Sequence, residues 1–347
     1  MNSGQITIKD LARKLNLSTS TISRALRGLP DVNPATKRKV RKLAEELNYE
    51  PNSVALSLVT KRTHIVGIII PGFIIHFYSS AISAIQEALT ESGYNVMICQ
   101  SGERYQTEIN NIHTLLSSRV DGIICSLSRE TQDISHLKQI QQKGIPLIMF
   151  NRVSKELNVS KVQVNDYGGA RDAVEHLVDQ GYKRIAHIAG PSTLQISTNR
   201  LNGYLDILKK HGLPVEEELI VRSDFTMESG IQCTRKLLSL PEPPDAIFVV
   251  CDSAAFGAMK IIKEMGLQIP NDVGIVGFTN EPLAELIDPS LTTVSQPTYE
   301  IGQTTAQLFL EQIRLEPEDR FPETRILKSE LIVRKSSLLK QSESHVR

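Results

Sequence analysis

From residue 65 onward the chain alternates short apolar runs with stretches of helical periodicity: IVGIII, a helical pattern over 79–92, NVMIC, a pattern over 105–118, VDGIICS, a pattern over 134–143, then IPLIMF. Apolar strands separated by helix-length segments are the signature of βαβ units, which force the strands parallel and put helices on both faces of the sheet. A second series follows: KVQVN, helical patterns over 168–180, 198–210 and 227–240 with RIAHIAG after the first, then AIFVVC, a helix over 254–265 and VGIVGF. Gly93, Gly144, Gly181, Gly212 and Gly266 fall just past helical runs, where a C-terminal cap needs a left-handed residue. The expectation is an α/β core of two doubly wound parallel-sheet lobes, for which 347 residues leave ample chain.

The first sixty residues have a different grammar. Thr7 followed by Asp10 reads as an N-cap with its acidic partner, and Ile8, Leu11, Ala12 and Leu15 share one face of a two-turn helix. Asn16 and Leu17 make a short turn; Ser18 caps a second helix carrying Thr21, Ile22, Ala25 and Leu26, which stops at Gly28. A third helix opens with Asn33 as cap and Pro34 in its first turn, and runs through Val40, Leu43, Ala44 and Leu47. Two short helices about a tight turn, covered by a third, make a small all-α helix-turn-helix head. In such a head the second helix enters the DNA major groove by its N-terminal end, so Thr19, Ser20, Ser23 and Arg24 are placed to meet bases and phosphates. Arg24 suits bidentate guanine recognition, while Lys37, Arg38, Lys39, Arg41 and Lys42 around the third helix suit phosphate attraction.

Charge supports this division. The whole chain balances 39 Lys/Arg against 39 Asp/Glu, yet residues 1–63 hold 12 Lys/Arg and 5 Asp/Glu, a net of +7 that leaves −7 on the rest. A basic head on an acidic body is the electrostatic footprint of a nucleic-acid-binding protein. The longest apolar run, 65–71, is far short of the ~18 residues of a membrane span, and the start MNSGQITIKD has no signal-like segment. A cytoplasmic protein is expected. Cys99, Cys125, Cys233 and Cys251 lack CxxC or histidine-paired spacing and read as free thiols, so neither a metal nor a cofactor is expected.

The run ITIKDLARKLNLSTSTISRALRGLPDVNPATKRKVRKLAEELNYEPNSVALSL resembles the DNA-binding head of the LacI/GalR family of bacterial transcription regulators. Four pieces carry the likeness in order: D-L-A, L-S-x-x-T-I-S-R-A-L, V-N-P-x-T-x-x-x-V and L-N-Y-x-P-N-x-x-A. The resemblance implies DNA contacts at Thr7, Thr19, Ser20, Thr21, Ser23, Arg24, Asn33, Tyr49, Asn52, Ala55 and Leu58. It also identifies 53–59 as a hinge helix, which is too short to persist alone and would form on DNA in a paired protein, with Leu58 as an apolar wedge in the minor groove. The head then spans 1–49, the hinge 50–62 and the core 63–340.

The likeness continues through YKRIAHIAGP, RLNGY, DAIFVVCDSAAFGAMKIIKEMGLQIPNDVGIVGF and DPSLTTVSQP. It implies a core like periplasmic sugar-binding proteins, in which the chain crosses between lobes three times. The first lobe would take 63–163 and 292–324, the second 164–291 and 325–340. A ligand would sit between the lobes, at the C-terminal ends of the strands. Carried over residue by residue, the effector contacts are Arg200 before LNGY, Asp252 in VVCD, Gln296 in VSQP and the pair Phe77 and Tyr78. The chain departs from the family pattern at Cys251, where Asn is usual, and at Thr279 and Asn151, where many members have Asp. Such a cleft has fewer carboxylates, which suits an effector with fewer hydroxyls or an anionic one met by Arg200.

The function expected is sequence-specific binding of a near-palindromic operator by a homodimer, repressing carbohydrate genes under control of a sugar-like effector. The alternative is control by a protein corepressor or by a non-sugar metabolite such as a purine. The polar stretch after Val333 is too short for the heptads of a four-chain bundle, which favours the dimer. No GxGxxG after a strand, P-loop, GxSxG or HExxH occurs, so an enzyme is not expected. The histidines at 64, 76, 113, 136, 176, 187 and 211 are scattered without paired spacing and read as surface or core groups.

Overall fold

The computed structural model describes residues 6–49, 62–73 and 76–339. It divides into two units, 1–63 and 64–347. In the first, α1 (Ile8–Leu15), α2 (Thr19–Leu26) and α3 (Pro34–Glu46) enclose a small core of Leu11, Ala12, Ile22, Ala25, Val32, Val40 and Ala44. Each start has its cap: the Thr7 amide donates to Asp10 at 3.0 Å, Ser18 Oγ accepts from the Thr21 amide at 3.1 Å, and Asn33 Oδ1 accepts from the Ala35 amide at 2.8 Å. Asn16 turns the chain at φ 52° and Gly28 at φ 72°.

The second unit contains two six-stranded sheets. The first lobe is built from β1 (Ile65–Ile70), α4 (His76–Glu91), β2 (Asn95–Gln100), α5 (Tyr105–Ser117), β3 (Gly122–Cys125), α6 (Ser135–Gln142), β4 (Leu147–Phe150) and β5 (Ser160–Val164). The second lobe begins with α7 (Asp166–Asp179), β6 (Ile185–Ala189), α8 (Gln195–Lys210), β7 (Ile220–Arg222), α9 (Met227–Leu238) and β8 (Ala246–Val249). It continues through α10 (Asp252–Glu264), β9 (Gly274–Thr279), α11 (Leu283–Leu286) and β10 (Thr292–Ser295). Then α12 (Thr298–Gln312) returns to pack on α4, β11 (Thr324–Leu327) joins the first sheet and β12 (Glu330–Ile332) the second. The strand orders are β11-β5-β4-β3-β1-β2 and β12-β10-β9-β8-β6-β7, parallel except for the β10–β12 pair.

Strands buried on both faces explain the continuous apolar runs. Val66, Ile68 and Ile70 face α4 and α12, while Ile69 faces the opposite layer with Ile112, Leu115 and Leu137. Gly67 has no side chain because a Cβ there would strike Leu115. In the second lobe α9 and α10 cross at Gly230 and Gly257, where a Cβ would overlap the carbonyls of Ala254 and Met227.

Three expectations about elements are corrected. The run Thr292–Ser295 pairs with β9 in the second sheet, so the chain crosses to the first lobe after Ser295 rather than at about 292. It leaves again after Leu327 rather than at about 324, because β11 pairs with β5. The short strand β7, paired with β6, separates α8 and α9, which the sequence pattern runs together. All five cap glycines have positive φ, from 64° at Gly212 to 99° at Gly181. The four cysteines are free thiols, three of them buried. No helix among the described residues is long and apolar enough to cross a membrane.

Candidate functional site

On the head, Thr19, Ser20 and Arg24 stand exposed on α2, Thr21 and Ser23 are half-buried, and Thr7 and Asn33 are exposed at their caps. The caps give several of these residues a structural task as well. Thr7 Oγ1 donates to Asp10 at 2.7 Å, and the hydroxyls of Ser20 and Thr21 each lie 2.8 Å from Ser18 Oγ. Arg24 Nη1 is 3.3 Å from Asp31 Oδ2 with both side chains exposed, a pair worth about 0–1 kcal/mol and easily exchanged for phosphate or base. Tyr49 is half-buried against the head's core. Asn52, Ala55, Leu58 and the hinge helix over 53–59 lie outside the described residues.

In the core, a cavity opens between the lobes beyond the C-terminal strand ends. Six of the seven expected residues line it: Phe77, Tyr78, Asn151, Arg200, Thr279 and Gln296. Arg152, Ile196, Phe225, Cys251, Ser253 and Glu281 complete the wall. Asp252 is the correction. It is fully buried and its oxygens are occupied: Oδ1 accepts from Thr293 Oγ1 at 2.6 Å and Oδ2 from the Glu281 amide at 2.8 Å. Burial pushes its carboxyl up to about 7 although these bonds pull it down. Asp252 therefore shapes the loop that presents Glu281.

The cavity's polar groups are partly tied down. Asn151 Nδ2 donates to the Tyr78 hydroxyl at 3.0 Å, which also lies 3.0 Å from Ser126 Oγ. Arg200 donates to Asp166 Oδ1 from Nε at 2.9 Å and Nη2 at 2.6 Å, and to the Val250 carbonyl from Nη1 at 2.6 Å. Its guanidinium lies 3.7 Å from the centre of the Phe278 ring. Three of five N–H groups are thus committed inside the protein. Arg152 holds both Glu103 oxygens, at 2.8 and 2.9 Å, and lies over the Phe225 ring. The Cys251 thiol, pushed up to about 12 by burial, is no nucleophile at neutral pH.

Other groups have no partner. Arg152 Nε, Thr279 Oγ1, Glu281 Oε1 and Gln296 Nε2 are buried and unsatisfied, as is Ser197 Oγ on α8. Each unmet buried polar group costs about 1–3 kcal/mol, so such a convergence marks a place where another molecule supplies the bonds. Backbone strain converges there too: Asn151 at φ 58°, Phe225 at 72° and Thr279 at 119° adopt conformations that L-residues avoid. The cavity measures about 40 Å³, room for a water or two.

Two further histidines are buried inside the lobes, away from the cavity wall. His187 is stacked on Phe248 and Tyr204, with Nδ1 2.9 Å from the Phe248 carbonyl, and burial lowers it to about 4. His136 Nε2 pairs with Glu108 at 2.8 Å inside the first lobe. Among the described residues no cluster of His, Cys, Asp or Glu could hold a metal.

A helix-turn-helix head joined to a two-lobed, periplasmic-binding-like core defines a DNA-binding regulator. The profile of lacI-family bacterial regulatory proteins matches residues 7–52, and that of the periplasmic binding protein-like domain matches 174–337. Catabolite control protein A of Priestia megaterium is 35% identical over 317 residues, 90% of this chain and 94% of that protein. The HTH-type transcriptional repressor CytR of Escherichia coli K12 is 35% identical over 331 residues, 95% and 96% of the two chains. The lac repressor dimer bound to operator and the anti-inducer ONPF superposes with TM-score 0.85 at 27% identity, covering 97% of this chain and 100% of that one. A transcriptional regulator CelR–cellobiose complex gives 0.73 at 30%, covering 95% and 99%. The chain belongs to the lacI family of bacterial regulatory proteins. These named relatives are transcription regulators, not enzymes.

Proposed function

We propose that the protein is a homodimeric repressor of carbohydrate genes, acting in the cytoplasm and controlled by a sugar-like effector in the inter-lobe cavity. The observation that carries the effector site is the set of unsatisfied buried groups around the cavity: Arg152 Nε, Thr279 Oγ1, Glu281 Oε1 and Gln296 Nε2. Phe77, Tyr78, Asn151 and Arg200 supply the surrounding wall. The complexes of CelR with cellobiose and of the lac repressor with ONPF support a small ligand.

A metabolite-sized ligand needs far more than 40 Å³, since such sites measure about 300–1,000 Å³. Binding therefore opens the cleft or moves its side chains, which gives the effector two core conformations to distinguish. A coupling of ~1–3 kcal/mol between effector and DNA sites is typical. On the DNA side, Thr19, Ser20, Ser23 and Arg24 read bases and phosphates, with Thr7, Thr21, Asn33 and Tyr49 orienting the head. The hinge residues Asn52, Ala55 and Leu58 contact the minor groove in a paired helix, and two half-sites about one DNA turn apart require two subunits.

The test is thermal unfolding of the purified protein against sugars, sugar acids, sugar phosphates and nucleosides. A ligand at 100 times its Kd stabilises by ~2.7 kcal/mol, and Arg200→Ala should abolish that shift while operator binding persists. An unchanged shift in Arg200→Ala would remove Arg200 from the site. The small cavity favours a second reading, control through a protein partner, which silence across the whole panel would promote.

A further inference from the structure

The cavity has a charge balance that the sequence alone conceals. Both of its arginines are already matched by carboxylates of the protein itself. Arg152 chelates Glu103, and Arg200 is held by Asp166 with 3% and 2% of the two side chains exposed. Both guanidinium charges are thus neutralised within the protein, although Arg152 Nε still lacks an acceptor. Glu281 is the carboxylate that no arginine or lysine pairs with among the described residues: only His76, at the start of α4, attracts its charge, its Oε1 is buried and unsatisfied, and Asp252 grips its amide so that the loop presents it to the cavity. Its carboxyl also takes a backbone hydrogen bond from His76 at the start of α4.

The unmet groups around Glu281 are of mixed kind. Oε1 is an acceptor in want of a donor; Arg152 Nε and Gln296 Nε2 are donors in want of acceptors; Thr279 Oγ1 serves either way. A hydroxyl group both donates and accepts, so adjacent hydroxyls satisfy this set together. A carboxylate or phosphate only accepts, and would bring a second anion against Glu281 in a desolvated site.

We propose that Glu281 is a specificity-determining residue that makes the cavity select a neutral polyhydroxy ligand and reject its oxidised or phosphorylated counterpart. Of the two alternatives the sequence leaves open, an effector with fewer hydroxyls or an anionic one met by Arg200, this disfavours the anionic one. The proposal rests on the cavity being the effector site. Glu281 and Thr279 both line the cavity from the end of β9 and the loop that follows it.

The experiment is calorimetric titration of the full-length protein with matched sets: glucose, galactose, xylose and cellobiose beside glucuronate, galacturonate and glucose 6-phosphate. Wild type, Glu281→Gln, Asn151→Ala and Arg200→Ala are compared, and each ligand-free variant is melted. The expected result is that the binding members are neutral, that Glu281→Gln weakens them at least tenfold, and that ligand-free Glu281→Gln melts no lower than wild type. An acid or phosphate binding wild type more tightly than its neutral counterpart would overturn the proposal while leaving the cavity reading intact. Neutral binding unchanged in Glu281→Gln, with a melting temperature several degrees lower, would make Glu281 a structural cap and also overturn it. Binding that survives Asn151→Ala and Arg200→Ala unchanged would instead remove the effector from the cavity, and the proposal with it.

Discussion

Arg129 in the first lobe reaches Asp224 in the second, its Nη1 lying 2.9 Å from the backbone carbonyl and 3.0 Å from the carboxylate. Thr193 Oγ1 donates to the Arg129 carbonyl at 2.8 Å from the same side of the cleft. Asp224 immediately precedes Phe225, which lines the cavity, so this bridge joins the two lobes beside the cavity wall.

Arg129→Ala should release the bridge. The side chains are partly exposed, so the loss of global stability should stay within about 1 kcal/mol. Faster amide hydrogen exchange around 223–226 is the expected signature. Exchange unchanged there would mean that the bridge does not hold the lobes.

Asp252 should leave a mark on the pH dependence of stability. With its folded value raised to about 7 and an unfolded one near 3.9, the folded chain keeps a proton that the unfolded chain releases between those limits. Its contribution therefore makes stability fall as pH rises from about 4 to 7, by up to ~1.4 kcal/mol per unit. Asp252→Asn should remove that slope. It should cost little below pH 7, where the neutral acid and the amide are isosteric: the amide oxygen can accept from the Glu281 amide while its N–H donates to Thr293 Oγ1. Denaturant unfolding at several pH values reads both effects.

Ser18→Ala should destabilise the head alone. Losing the Thr21 amide's acceptor removes an N-cap worth about 1 kcal/mol. Amide resonances of α2 should broaden or shift first, while the core's melting temperature stays fixed.

Arg24→Ala should cost discrimination more than attraction. A bidentate base contact is worth ~1–3 kcal/mol against the wrong base, whereas a phosphate contact changes the salt slope by about one ion. Operator and random DNA titrated across salt concentrations separate the two. Equal losses on both would assign Arg24 to phosphate.

Much of this architecture was legible because local chemistry repeats. Caps at Thr7, Ser18 and Asn33, and glycines just past helices, act over three or four residues and need no tertiary context. The strand β7 was missed because three residues, Ile220–Arg222, are too few for a period to register. Thr292–Ser295 was given to the wrong lobe because its sheet is decided by pairing with β9, a contact that no local pattern encodes. The cavity shows the same limit. Arg152, Phe225, Ser253 and Glu281 lie in loops or at a helix start and carry no periodicity, yet most follow the end of a strand by a few residues. The rule that ligands gather at C-terminal strand ends was the signal that could have found them. Asp252 satisfies that rule as well, and only its two buried hydrogen bonds reveal that it faces away.

The three passages of chain between the sheets, near 165, 296 and 328, mean that no contiguous segment contains either lobe. A single proteolytic nick at one passage leaves two others still joining the halves, and neither lobe can be expressed by cutting the gene at one point. The exchange of one lobe between related chains would require several simultaneous splices. Change in the two-lobed core is thereby confined to substitutions within the intact chain, whereas the separate N-terminal unit can be exchanged by a single junction.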